Sequence, residues 1–459
     1  MFDFKRFSPR KTIYSEEFLR YLFLFLISLI IFIFLWSNTW KTELLITLPN
    51  ISICATNFPR YRKPSYLSHF DCQRLFAGDI DYIEELEHYG KIKAKELPVE
   101  PNCSKLRARV IGDHPAPDLN YSIAFARNVY TDYELLETIL GVTYSPTNHY
   151  CFHVDIKSTQ RFKTQMSYLE KCLPNVHLAP NYLNTTSSGH NNNRAHLLCL
   201  ELLLKYQNWE YVLMLQNHDL VAHTNSELSK MLSLLNGTND FNLDNMIWGR
   251  VRANQSFTMD DLNFFTKHTP LSFPERETAK LDFAKGLEQA TLNRAAVDWM
   301  INRVNISTLL DRFDDRKLYA VDEQFFATLQ NSETLRMPGG YHSSCLRNRG
   351  NKFFTYLTRH TRWTFDRSCK HNRHWICLYG IEDLWEAREI ARKHFTLNKF
   401  VASHDFGAII CMAESLFNRT HYGDEPFDLL HIRNHSGVRY QKATRQPGFY
   451  ISNFTCNGI

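Results

Sequence analysis

Tyr150 to Lys157 (YCFHVDIK) run from an apolar strand into a polar turn carrying His153, Asp155 and Lys157. Ligands of open α/β sheets sit just past the carboxyl ends of strands, so hydrogen-bonding side chains at such a turn suit a nucleotide. Local pattern alone leaves a second reading open, in which Asp155 only caps the next helix. A further strand, WEYVLML at 209–215, ends in Gln216, Asn217, His218 and Asp219. Farther on, YAVDEQFFATL at 319–329 puts Asp322 and Glu323 at the start of an apolar helix. Carboxylates in a first turn are also favoured by the helix dipole, which is the purely structural account of that pair.

These residues need elements to hold them. Tyr121 to Arg127 (YSIAFAR) reads as a strand, and Leu135, Leu136, Ile139 and Leu140 share one helical face after it. That helix is expected to start with a Thr131/Glu134 capping box and to stop at Gly141. The strand YCFHV comes next, followed by a helix from Arg161 to Cys172 and a short strand from Asn175 to Leu178. A helix from Arg194 to Tyr206, the strand at 209–215 and a helix from Glu227 to Leu235 complete the series. The alternation predicts a mostly parallel sheet flanked by helices. The second half is less regular: Phe241 to Pro274 reads as a substrate-lining insertion and Leu292 to Val304 as helical.

The chain of 459 residues, 44% hydrophobic, can bury a large core, and its net charge of +5 comes without a dense Lys/Arg block. Nucleic-acid binding therefore has no support. Leu22 to Trp36 is apolar except for Ser28, with Lys5, Arg6, Arg10, Lys11 and Arg20 before it. The positive-inside bias predicts a cytoplasmic tail at 1–20, a signal-anchor helix at 21–37 and a luminal remainder. The rival reading is a cleaved signal peptide, but no small-residue cleavage site follows Trp36. The short span suits the thinner early secretory membranes. Residues 38–117 read as stem and extension, and 118–459 as the catalytic domain. Sequons at Asn50, Asn102, Asn120, Asn184, Asn236, Asn254, Asn305, Asn418, Asn434 and Asn453 fit a secretory fate. All 11 cysteines lie beyond the apolar run and none forms C-x-x-C, which favours disulfides over structural zinc.

Several blocks, in order and register with the cysteines, resemble the core-2/I-branching β-1,6-N-acetylglucosaminyltransferases, a family that includes the protein xylosyltransferases. They are DCQRLFAGD at 71–79, YCFHVDIK, WEYVLMLQNHD followed by TNSEL, VDEQFFATLQ, CLYGIEDL at 377–384 and LNKFVASHDFGAIIC at 397–411. The resemblance implies a type II Golgi membrane protein with a GT-A-like nucleotide-sugar-binding α/β fold. It also implies disulfides Cys72–Cys411, Cys103–Cys172, Cys151–Cys199 and Cys369–Cys377. Cys54, Cys345 and Cys456 have no counterpart in the family. Whether the chain forms a homodimer, disulfide-linked or not, is left open.

Inverting transfer from a UDP-sugar needs a base for the acceptor hydroxyl and positive charge for the departing diphosphate. The resemblance makes Glu323 that base, with Asp322 supporting the acceptor-side loop. His153, Val154 and Asp155 are implied at uracil and ribose, and Asp219 at the donor as a lone carboxylate. Lys399 replaces a metal at the diphosphate. The second family cation, an arginine, falls on His374, with Arg373 adjacent. Trp363 and Phe365 are implied on the acceptor side. No metal or cofactor is expected, and UDP-sugar is a co-substrate. Departures lie around His190, in MIWGRVRANQS, at Asn242 or Asp244, and in KGLEQ at 285–289. The expected activity is β-1,6 transfer of GlcNAc to an O-glycan-type acceptor. The alternatives are UDP-xylose or UDP-glucose transfer, or an inactive relative that binds glycans or UDP.

Overall fold

The computed structural model describes residues 59–117, 119–252, 254–341, 356–365, 369–423, 429–450 and 454–455. The expected tail and anchor, Cys54, Cys345, Cys456, Asn50 and Asn453 lie outside them. Among the described residues no helix is long and apolar enough to cross a membrane.

Thirteen strands are described: β1 Ser122–Val129, β2 His149–Val154, β3 Val176–Leu178, β4 Trp209–Gln216, β5 Leu220–Val221, β6 Asp240–Phe241, β7 Asp244–Asn245, β8 Ala284–Lys285, β9 Ala290–Asn293, β10 Arg359–Thr361, β11 Asn372–Arg373, β12 Ile376–Cys377 and β13 Thr396–Asn398. The central sheet has the order β3-β2-β1-β4-β9-β6. β3, β2, β1 and β4 run parallel, while β9 is antiparallel to both β4 and β6. All eight residues of β1 are buried, as expected for a parallel strand covered on both faces. Its side chains alternate between two cores, Ile123 and Phe125 on one face, Ala124 and Ala126 on the other. The small alanines let the Asn192–Leu203 helix approach, where Cys199 bonds Cys151 of β2. The protein is therefore mixed α/β, with helices on a central sheet.

Three expectations need correction. The helix after β1 spans Tyr133–Thr143, passing through Gly141, and no Thr131 capping box forms. Glu134 instead accepts a hydrogen bond from the Leu97 backbone N–H at 2.8 Å. Gly141 marks a close approach, because a Cβ there would lie 2.9 Å from the Val110 carbonyl oxygen. Second, Leu292 and Asn293 belong to β9, and helix begins only at Arg294. Short apolar runs do not separate strand from helix by periodicity. Third, Asp322 and Glu323 lie in a 3-10 turn, Val321–Glu323, ahead of the Phe325–Asn331 helix.

The 59–117 segment packs onto the rest of the same compact unit. Its Cys72–Ala77 helix is tied to the Phe406–Tyr422 helix by Cys72–Cys411, and Cys103–Cys172 anchors its Cys103–Val110 helix. Lys91 bridges Glu382 and Asp405. With Cys151–Cys199 and Cys369–Cys377, these disulfides are those the resemblance implies. Of the described sequon asparagines, Asn102, Asn120, Asn184, Asn236 and Asn254 are exposed, while Asn305, Asn418 and Asn434 are half-buried.

Candidate active site

The Glu323 carboxylate is gripped from two sides. Its Oε2 contacts Arg250 and stands 3.5 Å from Lys285 Nζ. Arg250 ends the Trp248–Arg250 turn and Lys285 ends β8, so the insertion after β6 does line this position. The Glu323 backbone carbonyl accepts from Gly286 N–H at 2.7 Å. Gly286 must be glycine here, since a Cβ would come 1.8 Å from the Asn242 carbonyl oxygen. Next to Glu323, Asp322 Oδ2 accepts from Asn192 Nδ2 at 2.8 Å. Burial, together with the Glu323 charge, raises the Asp322 carboxyl to about 6.

Behind this pair lies Glu288, in the KGLEQ turn that the sequence marks only as a departure. Its Oε2 accepts from Gln216 Nε2 at 2.7 Å, and its Oε1 from Asn128 Nδ2 at 3.4 Å. His196 Nδ1 is 3.5 Å from Oε1. His196 Nε2 faces the Leu215 carbonyl at 3.1 Å, which only accepts, so in the neutral ring Nδ1 is a lone pair. A protonated Glu288 supplies the donor that this lone pair needs. Burial first, and the Asp322 charge second, push the Glu288 carboxyl well above the usual range. Burial likewise holds His196 down to about 3, so burial favours the neutral form of both partners.

His153, Val154 and Asp155, which the resemblance implies at the donor, lie at and just beyond the end of β2 and are almost fully buried. Asp155 Oδ2 accepts from the Thr185 N–H at 2.8 Å and from its hydroxyl, and Oδ1 from Lys157 N–H at 2.7 Å. Thr159, not Asp155, caps the next helix. His153 Nε2 accepts from Leu183 N–H at 3.0 Å, and burial lowers its ring to about 4. Both side chains thus hold the 183–185 segment in place. Asp219 is also sealed. It accepts from Gln216 N–H at 2.7 Å and Asn398 Nδ2 at 2.7 Å, with Arg359 Nη1 at 3.4 Å.

The second sheet brings in the cations. β13 pairs antiparallel with β5, directly after Asp219, and parallel with β10, so Arg359, Asn398 and Lys399 meet there. Burial, then Arg359 and Arg373, pull the Lys399 ammonium down to about 8. His374 is lowered by burial, Lys399 and Arg373, which places it in the same cluster. Arg373 also reaches Tyr130, just past β1. Sequence-expected Lys399, Arg373 and His374 are therefore brought together, joined by Arg359, which the sequence reading missed. Among the described residues, no three His, Cys, Asp or Glu side chains gather as a metal-ligand set.

A chain of interacting side chains links Glu323 to the cations. The path from Glu323 runs through Asp322 and Glu288 to Gln216, then through Asp219 to Arg359 and Lys399. Trp363 and Phe365 stack on each other with centroids 5.5 Å apart, Phe365 being exposed. Another aromatic pair, Trp248 and Phe283 at 5.2 Å, comes from the two segments that carry Arg250 and Lys285.

The family profile for Core-2/I-Branching enzymes matches residues 123–388. A curated relative from Bos taurus, "Beta-1,3-galactosyl-O-glycosyl-glycoprotein beta-1,6-N-acetylglucosaminyltransferase 3", is 26% identical over 77% of this chain and 84% of its own. A Bovine herpesvirus 4 (strain LVR140) protein of corresponding name shows the same identity and coverage. Among solved structures, S. aureus TarS 1-349 aligns at 14% identity over 39% of this chain and 48% of its own, with a TM-score of 0.22, too low to bear on the fold. With more than half of its length matched by the family profile, the chain belongs to the Core-2/I-Branching enzyme family and is a glycosyltransferase.

Proposed function

We propose that this glycosyltransferase transfers GlcNAc from UDP-GlcNAc, with inversion and without a metal, to form a β-1,6 linkage on an O-glycan-type acceptor. The parallel order β3-β2-β1-β4, followed by antiparallel β9, supports a GT-A-like reading of the sheet. The observation that carries the proposal is the chain of interactions, through Asp322, Glu288, Gln216 and Asp219, that joins the Glu323 carboxylate to the Lys399/Arg359/Arg373 cluster. Glu323 takes the proton of the acceptor hydroxyl as its oxygen attacks the anomeric carbon. The bond to the diphosphate breaks, and its electrons pass to a phosphate oxygen facing Lys399 and Arg373. Arg250 and Lys285 fix the carboxylate's position. Asp219, its oxygens engaged by Gln216, Asn398 and Arg359, supports cations rather than a divalent ion as counter-charge. The relatives' names support GlcNAc and the β-1,6 linkage. The apolar 22–36 run and the sequons support a Golgi type II membrane protein with a luminal site.

A binding-only role is the competing reading, favoured by His374 at the second cationic position. Its side chain is largely exposed, and partial desolvation, then Lys399 and Arg373, lower its pKa. Incubation with UDP-GlcNAc, UDP-xylose or UDP-glucose and a β-1,3-galactosyl O-glycan disaccharide in EDTA, with products read by NMR, separates the readings. The proposal expects a β-1,6-linked GlcNAc product. Transfer that requires added manganese, another sugar in the product, or no transfer at all contradicts it.

A further inference from the structure

The β11–β12 hairpin closes on two residues, His374 and Trp375, at φ 54° and 63°. Positive φ at both central positions is the type I′ arrangement, normally filled by Asn-Gly because a side chain there meets its own backbone. A tryptophan in the second position is the costly choice. Burial does not offset that cost, since Trp375 is 74% exposed. The turn itself is firmly held. Thr364 N–H donates to the Trp375 carbonyl at 2.9 Å, Cys377 N–H to the Arg362 carbonyl at 2.8 Å, and Cys377 is bonded to Cys369. The hairpin thus holds the indole outward at a fixed place, beside the Arg373/His374/Lys399 cluster.

We propose that Trp375, held outward by this hairpin next to Arg373 and His374, is a stacking residue that takes a ring face of the UDP-sugar, either the pyranose or the pyrimidine. It rests on the UDP-sugar reading above and adds a binding contact to it. Indole suits this task because the apolar face of a pyranose and the π-face of a base both pack on it.

The test is calorimetric binding of UDP and of UDP-GlcNAc to the full chain as wild type, Trp375→Gly and Trp375→Phe, with Tm measured for each. Glycine is the residue this turn prefers, so Trp375→Gly should keep or raise Tm. Its Kd for UDP-GlcNAc should rise by about three- to tenfold, and Trp375→Phe should stay within about twofold of wild type. Equal weakening for UDP assigns the pyrimidine; weakening of UDP-GlcNAc alone assigns the pyranose. Unchanged affinity for both ligands, or a fall in Tm parallel to the loss, overturns the proposal. Wild-type protein that binds neither ligand overturns the UDP-sugar reading and, with it, this contact.

Discussion

Arg359 and Arg373 stand beside the Lys399 ammonium, which burial has already weakened, and together these hold it at about 8. Below that pH the side chain is charged and attracts a diphosphate; above it the attraction is lost. An anion favours the protonated form, so UDP affinity should fall by up to tenfold per unit as pH rises beyond about 8. Calorimetry of UDP between about pH 7 and 9.5 checks this, with Lys399→Met expected to flatten the curve. A wild-type affinity that stays constant over the range contradicts it. At this scale the sequence is informative where a residue sits inside a contiguous block, as Lys399 does in LNKF and Glu323 in VDEQFF. It is silent where a role arises between distant segments. Arg250 meets Glu323 from 73 positions away, and Glu288 meets Asn128 from 160.

Glu288 belongs to the scale of elements, because it joins the ends of β1 and β4 to the Asn192–Leu203 helix. Its neutral state gives a sharp expectation. Glutamine mimics a protonated acid, so Glu288→Gln should hold kcat/KM within about threefold of wild type. Glu288→Ala leaves the Gln216 amide without this acceptor, and Asn128 with only the Asn192 carbonyl, and should cost about 1–3 kcal/mol of stability. Thermal unfolding and transfer assays on both variants check this; a dead Glu288→Gln protein would show that an ionised carboxylate is needed. The βα alternation is legible because buried parallel strands and amphipathic helices follow different periods. The expected capping box fails because Glu134 serves Leu97, a tertiary partner that no local pattern displays. The turns around KGLEQ have no periodicity to read, so the surroundings of the base stay hidden in the sequence.

Across the whole molecule, the described fold is tied together by long-range covalent links. Cys72–Cys411 closes a span of 339 residues and fastens the 59–117 segment to the Phe406–Tyr422 helix. Replacing both cysteines with serine should cost about 2–5 kcal/mol and lower Tm by several degrees. UDP affinity should be kept, because neither cysteine is among the residues proposed to hold UDP; differential scanning calorimetry with UDP titration reads both. An unchanged Tm contradicts the bracing role. The cysteine framework is readable from the chain through the family resemblance, not from spacing, since spacing alone leaves the pairing open.

The proposed mechanism depends most on Glu323 as the group that deprotonates the acceptor. Steady-state transfer from UDP-GlcNAc by wild type and Glu323→Gln, with UDP affinity measured on the same preparations, tests it directly. A base at this position predicts a fall in kcat of about 10²–10⁴-fold with UDP affinity unchanged. Transfer by Glu323→Gln at the wild-type rate would contradict it.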